Sequence, residues 1–388
     1  MDWWQKLKNN PLARFGAISL IILYLIVIFA DFTAPYRPCD TYDLANNLCK
    51  VEPNTSLLPP TPIYWRVQAG PQKGQWIGPH VYPTTQSSTD IKTGDRQLII
   101  DFQNPSPLRL FAKGDPYRLF HLQLPLPPTF EEVDLFPGIP FDRHLLGTEG
   151  KGKINLLGTD ESGRDAFSRL IFGGKISLFI GLFGIAISFP LGMLIGGISG
   201  YAGGWLDTIL MRLVEVLMTI PGLYLLVALA AVFADFGLSS AQRFFLIVLI
   251  ISFISWSGLA RVIRGQVLSI KEQEFIQAAR AMGAKPLYII TKHVLPQTAS
   301  YIIISATLAV PGFIISESVL SLIGLGIQQP DPSWGNLLSI ATNASVIVLQ
   351  PWLIWPPALL IIVTVLCFNL LGDGLRDALD PRSLRNGN

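Results

Sequence analysis

Apolar residues fall along this chain in long blocks separated by polar stretches. The blocks run from about Phe15 to Ala30, Ile176 to Ser199, Ile209 to Phe233, Phe244 to Leu259, Tyr301 to Ile323 and Trp352 to Leu371. A helix needs about 20 predominantly apolar residues to cross the hydrocarbon core of a bilayer. It is also the segment that satisfies its own backbone there without a partner. The pattern therefore predicts six membrane-spanning helices, with the ends of the third and fourth least defined because those blocks are interrupted or short. Gly181, Gly184, Gly192, Gly196 and Gly197 in the second block allow close helix approach. Lys6, Lys8 and Arg14 before the first block would also suit a cleaved leader. However, Asp31-Phe32-Thr33-Ala34-Pro35 is a poor cleavage site, so a retained anchor helix is expected.

Between the first and second blocks lies a long polar segment rich in Pro, Gly and aromatics, with strand-like pieces such as Gln97 to Phe102. Basic residues set the orientation. They occur before the first block, in the connection between the fourth and fifth (Arg261, Arg264, Lys271, Arg280, Lys285, Lys292) and in the tail (Arg376, Arg382, Arg385), whereas Gly324 to Pro351 has none. Both termini are thus expected in the cytoplasm and the long polar segment outside. The predicted organisation is residues 1–31 as N-terminus and first helix, 32–172 as an extracytoplasmic insertion and elbow, 173–373 as a membrane core containing a cytoplasmic loop at 260–297, and 374–388 as a cytoplasmic tail.

Composition agrees. Half of the 388 residues are hydrophobic and 14% charged, against about 25% charged in soluble domains. A net charge of +2 gives no reason to expect nucleic acid. Cys39 and Cys49 would lie outside, where a bridge closing the short loop is expected, two free thiols being the alternative. Cys367 sits in the last apolar block as a packing residue. No metal motif accompanies the cysteines, and His80, His121, His144 and His293 are scattered. Gly173-Gly174-Lys175-Ile176 lacks the upstream glycine and the hydroxyl residue of a phosphate-binding loop, so no ATP hydrolysis by the chain itself is expected.

The connection between the fourth and fifth blocks carries the most informative pattern. Glu272 to Met282 reads as a helix without internal Gly or Pro, which Gly283 can end. Ala278, Ala279 and Ala281 offer a small-residue surface beside protruding Phe275 and Met282, a shape suited to docking in a partner's groove. Gln277-Ala278-Ala279, three residues, Gly283, nine residues, then His293-Val294-Leu295-Pro296 resembles the signature loop of binding-protein-dependent ABC importer permeases. Gln277 stands where that family usually has Glu, and His293 where it usually has Ile, the latter as in its peptide-type branch. Leu157 to Asp165 with Ser168-Arg169-Leu170, Ser321 to Gly326 leading to Pro332-Ser333-Trp334-Gly335-Asn336, and Asn369 to Pro381 resemble the dipeptide-permease C type within that branch.

The resemblance implies an all-α type I importer permease fold of six helices, here with a large outer loop containing some β structure. It implies that Glu274, Gln277, Ala278, Ala279, Gly283, His293, Leu295 and Pro296 couple the chain to an ATPase. The implied partners are a homologous second permease, two cytoplasmic ATP-binding subunits that hold ATP and Mg, and an outer solute-binding protein, all at a bacterial inner membrane. Dipeptides or oligopeptides come first as cargo, then nickel or other chelated metals, then glutathione-like ligands. Of the ionisable residues in the apolar blocks, Arg212 and Glu215 are spaced to pair on one helix face. Glu317 has no evident local partner and is expected to face the translocation path or a polar contact between subunits. Gly158 to Arg169 is expected to form a capped, salt-bridged elbow.

Overall fold

A computed structural model describes residues 3–38, 42–43, 48–49, 54–87, 96–120, 122–126, 131–233 and 236–379. Cys39 and the side chain of Cys49 lie outside these residues, and with them the expected bridge, as do Arg382 and Arg385. A short helix α1 (Trp3–Asn9) precedes α2 (Pro11–Ile28). The Asn10 side chain accepts from the Leu12 and Ala13 N–H groups, and Pro11 occupies the first turn, where its missing N–H costs nothing. One turn, α3 (Ala30–Thr33), follows.

The second block is a 37-residue helix, α4 (Ala166–Ala202), capped by the Asp165 carboxylate and ended by Gly203 at φ +65°. The third block differs from expectation. It breaks into α5 (Gly204–Thr219) and α6 (Gly222–Val232), bent by 86°. Pro221 accounts for the break: it supplies no N–H and pushes Ile220 out of the helical region, to ψ 125°. The fourth block is longer than its apolar run, because α7 (Ser240–Ile270) continues through Arg261 and Arg264 after starting in a Ser239–Gln242 capping box. Next come α8 (Glu274–Ala281) and α9 (Pro286–Ile289). A π-helical turn (Ile290–Val294) and a 3₁₀ turn (Leu295–Thr298) lead without a gap into α10 (Ala299–Leu322). Two short helices, α11 (Trp334–Leu338) and α12 (Ala344–Leu349), precede α13 (Pro351–Leu379). Among the described residues, five helical runs are long and apolar enough to cross a membrane, six if the bent pair counts as one span.

Packing follows the glycines. Gly192, Gly196 and Gly200 recur every fourth residue on α4 and face Trp256, Ala260 and Arg264 at the same spacing on α7. A methyl group at Gly196 would sit 2.4 Å from the Ala260 carbonyl oxygen. On another face, Gly181 and Gly184 receive Val310 and Phe313 of α10. Helix α13 packs on α2 in the same way: a side chain on Gly16 would meet the Cys367 carbonyl at 2.6 Å, and one on Gly374 would meet Ala13.

The region between α3 and α4 contains β1 (Tyr42–Asp43), β2 (Leu48–Cys49), β3 (Tyr64–Arg66), β4 (Trp76–Val81), β5 (Thr84–Gln86), β6 (Leu98–Ile100), β7 (Ser106–Leu119), β8 (Leu122–Leu126), β9 (Glu131–Phe136) and β10 (Ile139–Thr148). A four-stranded antiparallel sheet runs in the order β10-β7-β4-β3, and the others pair two by two. The sheet is fastened to the membrane part where α2 ends and α4 begins: His144 Nδ1 lies 2.7 Å from the Ala34 carbonyl, and Lys175 on α4 bonds Asp31 on α3 at 2.6 Å. The molecule thus has two ends. One carries the strands and residues 323–350; the other carries α1, the α7–α10 connection and the end of α13.

Replacing Gly196 with valine is expected to cost roughly 1–3 kcal/mol by forcing α4 and α7 apart. Gly258→Ala, with nothing within 4 Å of the added carbon, should leave stability within about 0.5 kcal/mol. Thermal unfolding in detergent compares the two, and equal melting temperatures would disprove the close-approach role.

Candidate functional site

The α7–α10 connection is built around α8. The helix forms because Glu274 to Ala281 contains good helix formers, with the one acid in its first turn and Arg280 in its last, both favourable to the helix dipole. It stops where Gly283 adopts φ +79°: the Ala284 N–H bonds the Ala279 carbonyl at 3.1 Å and the Gly283 N–H bonds that of Arg280 at 2.9 Å. This doubled closure needs a left-handed residue, which glycine supplies without a Cβ clash. Ile276 and Ala279, three apart on one face, are buried and belong to the apolar cluster that includes Val267 of α7, Ile289 and Val294. The opposite face exposes Glu274, Phe275, Gln277, Ala278 and Met282. Ala279 therefore does not belong to the small-residue outer surface expected from sequence, because its face is the one that anchors the helix. Gly283 and Pro296 are exposed. Half-buried His293 lies edge-on to Tyr288 at 5.6 Å, and half-buried Leu295 reaches toward Gly197 of α4.

Four basic and acidic side chains tie this loop to the end of α4. Lys271 Nζ donates to the Gly200 carbonyl at 2.9 Å. Arg280 Nε donates to the Tyr201 hydroxyl at 3.0 Å, with its guanidinium 4.7 Å from that ring's centre. Arg264 on α7 forks onto both oxygens of Asp207 on α5, each at 2.6 Å, and the Ser199 hydroxyl also bonds Asp207. Such two-pronged, charge-assisted contacts are shorter and stronger than neutral ones. The two side chains are only 32% and 15% exposed, so screening is weak. Sequence reading missed these ties. Their partners are 57 to 79 residues apart, and nothing local marks them.

At the opposite end the ionisable residues are internal. Glu317, expected on a path or a subunit contact, has no exposed surface; it is enclosed within the chain. Ser177 of α4 and Ser321 direct their hydroxyls at its two oxygens, at 3.3 and 2.6 Å. Each serine oxygen already accepts a backbone N–H, from Trp334 and Ile327 respectively, both at 3.0 Å. Each hydroxyl proton is therefore left for the carboxylate. Arg169, also buried, donates to the Pro330 carbonyl at 2.9 Å and to Gln329 at 2.8 Å, and stands 3.2 Å from Asp160. The expected elbow is present: Asp160 accepts from Arg164 Nε at 2.8 Å and from the Ser162 and Arg164 N–H groups. Arg212 and Glu215 pair at 2.9 Å on the surface, 74% and 47% exposed.

Two family models match this chain. Residues 189–385, which include α7, α8 and the ties just described, match that of the binding-protein-dependent transport system inner membrane component. The chain belongs to this family. Residues 1–60 match the N-terminal transmembrane domain of oligopeptide transport permease C. The oligopeptide transport system permease protein OppC of Haemophilus influenzae is 44% identical over 228 residues, covering 59% of this chain and 70% of that one. The dipeptide transport system permease protein DppC of Bacillus subtilis is 44% identical over 231 residues, 59% of this chain and 69% of that one. A solved structure of the MetNI methionine ABC transporter, in inward-facing conformations, superposes with a TM-score of 0.41 at 22% identity, over 55% of this chain and 94% of that one. Membership makes this permease a multi-pass inner membrane protein with the importer fold expected above. Residues 61–188, which hold most of the strands, lie between the two matched stretches.

Glu317→Ala should leave two buried hydroxyls unpaired, at a cost of roughly 1–3 kcal/mol for each. Glu317→Gln keeps an acceptor and should cost less. Limited proteolysis between positions 323 and 333, together with thermal unfolding, reads both, and a glutamine variant as damaged as the alanine one would contradict the hydroxyl assignment.

Proposed function

We propose that this permease is one of a pair of membrane subunits of an importer for dipeptides and oligopeptides, driven by ATP hydrolysed on separate subunits. The observation that carries the reading is the two-sided character of α8. One face is buried in the apolar cluster that includes Val267 of α7, Ile289 and Val294; the other leaves Glu274, Phe275, Gln277 and Ala278 open to a partner. An ATPase that grips the outer face and moves on closing would carry α8 with it. Through Ile276 and Ala279, and through Lys271 and Arg280 on the end of α4, the displacement reaches the membrane helices as a nearly rigid-body motion. Gly283 sets the helix end and so the angle of the outer face, while His293, Leu295 and Pro296 connect the loop to α10.

In this reading α8 and both termini face the cytoplasm, which agrees with the basic residues at that end, and the strands face the binding protein. A homologous second permease completes the pathway, and ATP and Mg reside on the two ATPase subunits. Peptide cargo is favoured over nickel because relatives at 44% identity are named for oligopeptides and dipeptides.

Ala278→Arg, on the outer face, should abolish ATPase association or coupling while leaving the fold intact. Ala279→Arg should instead unfold the loop, at a cost of several kcal/mol for a buried unpaired charge. Pull-down of the co-expressed ATPase and the melting temperature separate the two, and unchanged coupling in Ala278→Arg would refute the docking assignment. In proteoliposomes with the binding protein, di- to pentapeptides should stimulate ATP hydrolysis and nickel should not; stimulation by nickel alone would overturn the cargo.

A further inference from the structure

The β8–β9 pair adjoins the end of the β7–β10 pair at a corner: Leu119 pairs with Ile139, and Leu122 with Phe136. Phe120 at that corner has φ +60°, a conformation uncommon for a residue with a side chain. Its ring meets Phe29, just past the last residue of α2, edge-on at 5.4 Å. Phe120, Phe136, Ile139 and Phe141 are each between 40% and 53% exposed. Four large apolar side chains within a few residues of the corner are thus about half uncovered, a concentration that calls for a cover.

The neighbouring surface says what covers them. Leu25, Ile26 and Ile28, on the last turns of α2, are exposed as well, as they must be on a span that faces lipid. The Phe29–Phe120 contact joins the end of this strip to the corner. Basic side chains flank it. Arg118 is exposed beside Phe120, Arg143 reaches the Phe111 carbonyl at 3.1 Å, and exposed Lys113 pairs only loosely, at 3.6 Å, with Asp142. Aromatic rings with arginine and lysine around them are what the boundary between headgroups and acyl chains selects. The strands at the corner are paired with each other, so their backbone can approach that depth, but β10 is a sheet edge and could not go deeper into hydrocarbon.

We infer that this corner of the outer sheet rests in the outer leaflet of the bilayer, its rings among the upper acyl chains and Arg118 at the phosphates. The insertion is then a membrane-surface module, held at fixed height beside α2. This rests on α2 spanning the membrane in the proposed orientation, with the strands outside, and not on the cargo or the ATPase.

The test is photo-crosslinking of the full chain in vesicles of phosphatidylethanolamine and phosphatidylglycerol. The photoreactive residue p-benzoylphenylalanine replaces Phe136 in one protein and Phe141 in a second, each an aromatic-for-aromatic exchange. It replaces lipid-facing Ile21 of α2 as the positive reference, and Lys73 in the β3–β4 turn as the aqueous one. Phospholipid adducts at positions 136 and 141 should exceed those at 73 by about tenfold and approach those at 21. Yields at the level of position 73 while position 21 reacts would overturn the inference, as would adducts to polypeptide in place of lipid. If one aromatic exchange prevents folding, the other decides.

Discussion

Lipid chains are as apolar as leucine, so helices inside a bilayer gain little by turning side chains toward one another; they associate by close backbone contact and by buried polar bonds. The approach of α4 to α7 is the contact on which the rest of this molecule depends. With Gly192, Gly196 and Gly200 facing Trp256, Ala260 and Arg264, the two helices run in register, and their far ends are brought together. That places Ser199, Gly200 and Tyr201 within reach of Arg264, Lys271 and Arg280 by way of Asp207 and direct bonds. A side chain on the stripe would separate the helices by the width of a methyl group or more and undo those polar ties at once.

The polar groups are concentrated at the two ends of this framework and serve opposite needs. At the α8 end the bonds are partly exposed and bridge different elements, holding the ends of α4, α5 and α7 and the start of the loop together. At the other end Glu317, Arg169, Ser177 and Ser321 are buried; Arg169 and the two serines bond the backbone of residues 327–334, and both serines donate to Glu317. A buried charge without partners would be severely destabilising, so this network holds the α10–α11 connection in one conformation against α4.

Much of this was legible in the chain itself. Apolar blocks close to the roughly 17 to 25 residues of a span have few folded solutions outside a bilayer, so five of the six expected spans followed from counting, and the third block is the bent α5–α6 pair. The α8 pattern, from Gln277 to Pro296, identified the family through residues that are close in sequence, because a helix, its glycine stop and the following turn are local structures. The elbow from Asp160 to Arg169 was equally local. The bend at Pro221 was written in the residue but hidden by unbroken hydrophobicity on either side, and the true length of α7 was hidden by arginines that a helix end tolerates.

The amino-acid order alone determined what local physics decides: the apolar blocks, the helix caps, the stop at Gly283 and the residue pattern of the α7–α10 connection. Only the tertiary structure decided which face of α8 is outward. The burial of Ile276 and Ala279 depends on where α4 and α7 lie, and an isolated helix carries no such information. It also decided that Glu317 is enclosed by serines from two elements, and that Asp207 meets Arg264. Pairings across tens of residues are set by how helices pack, and composition or spacing along one segment cannot encode them.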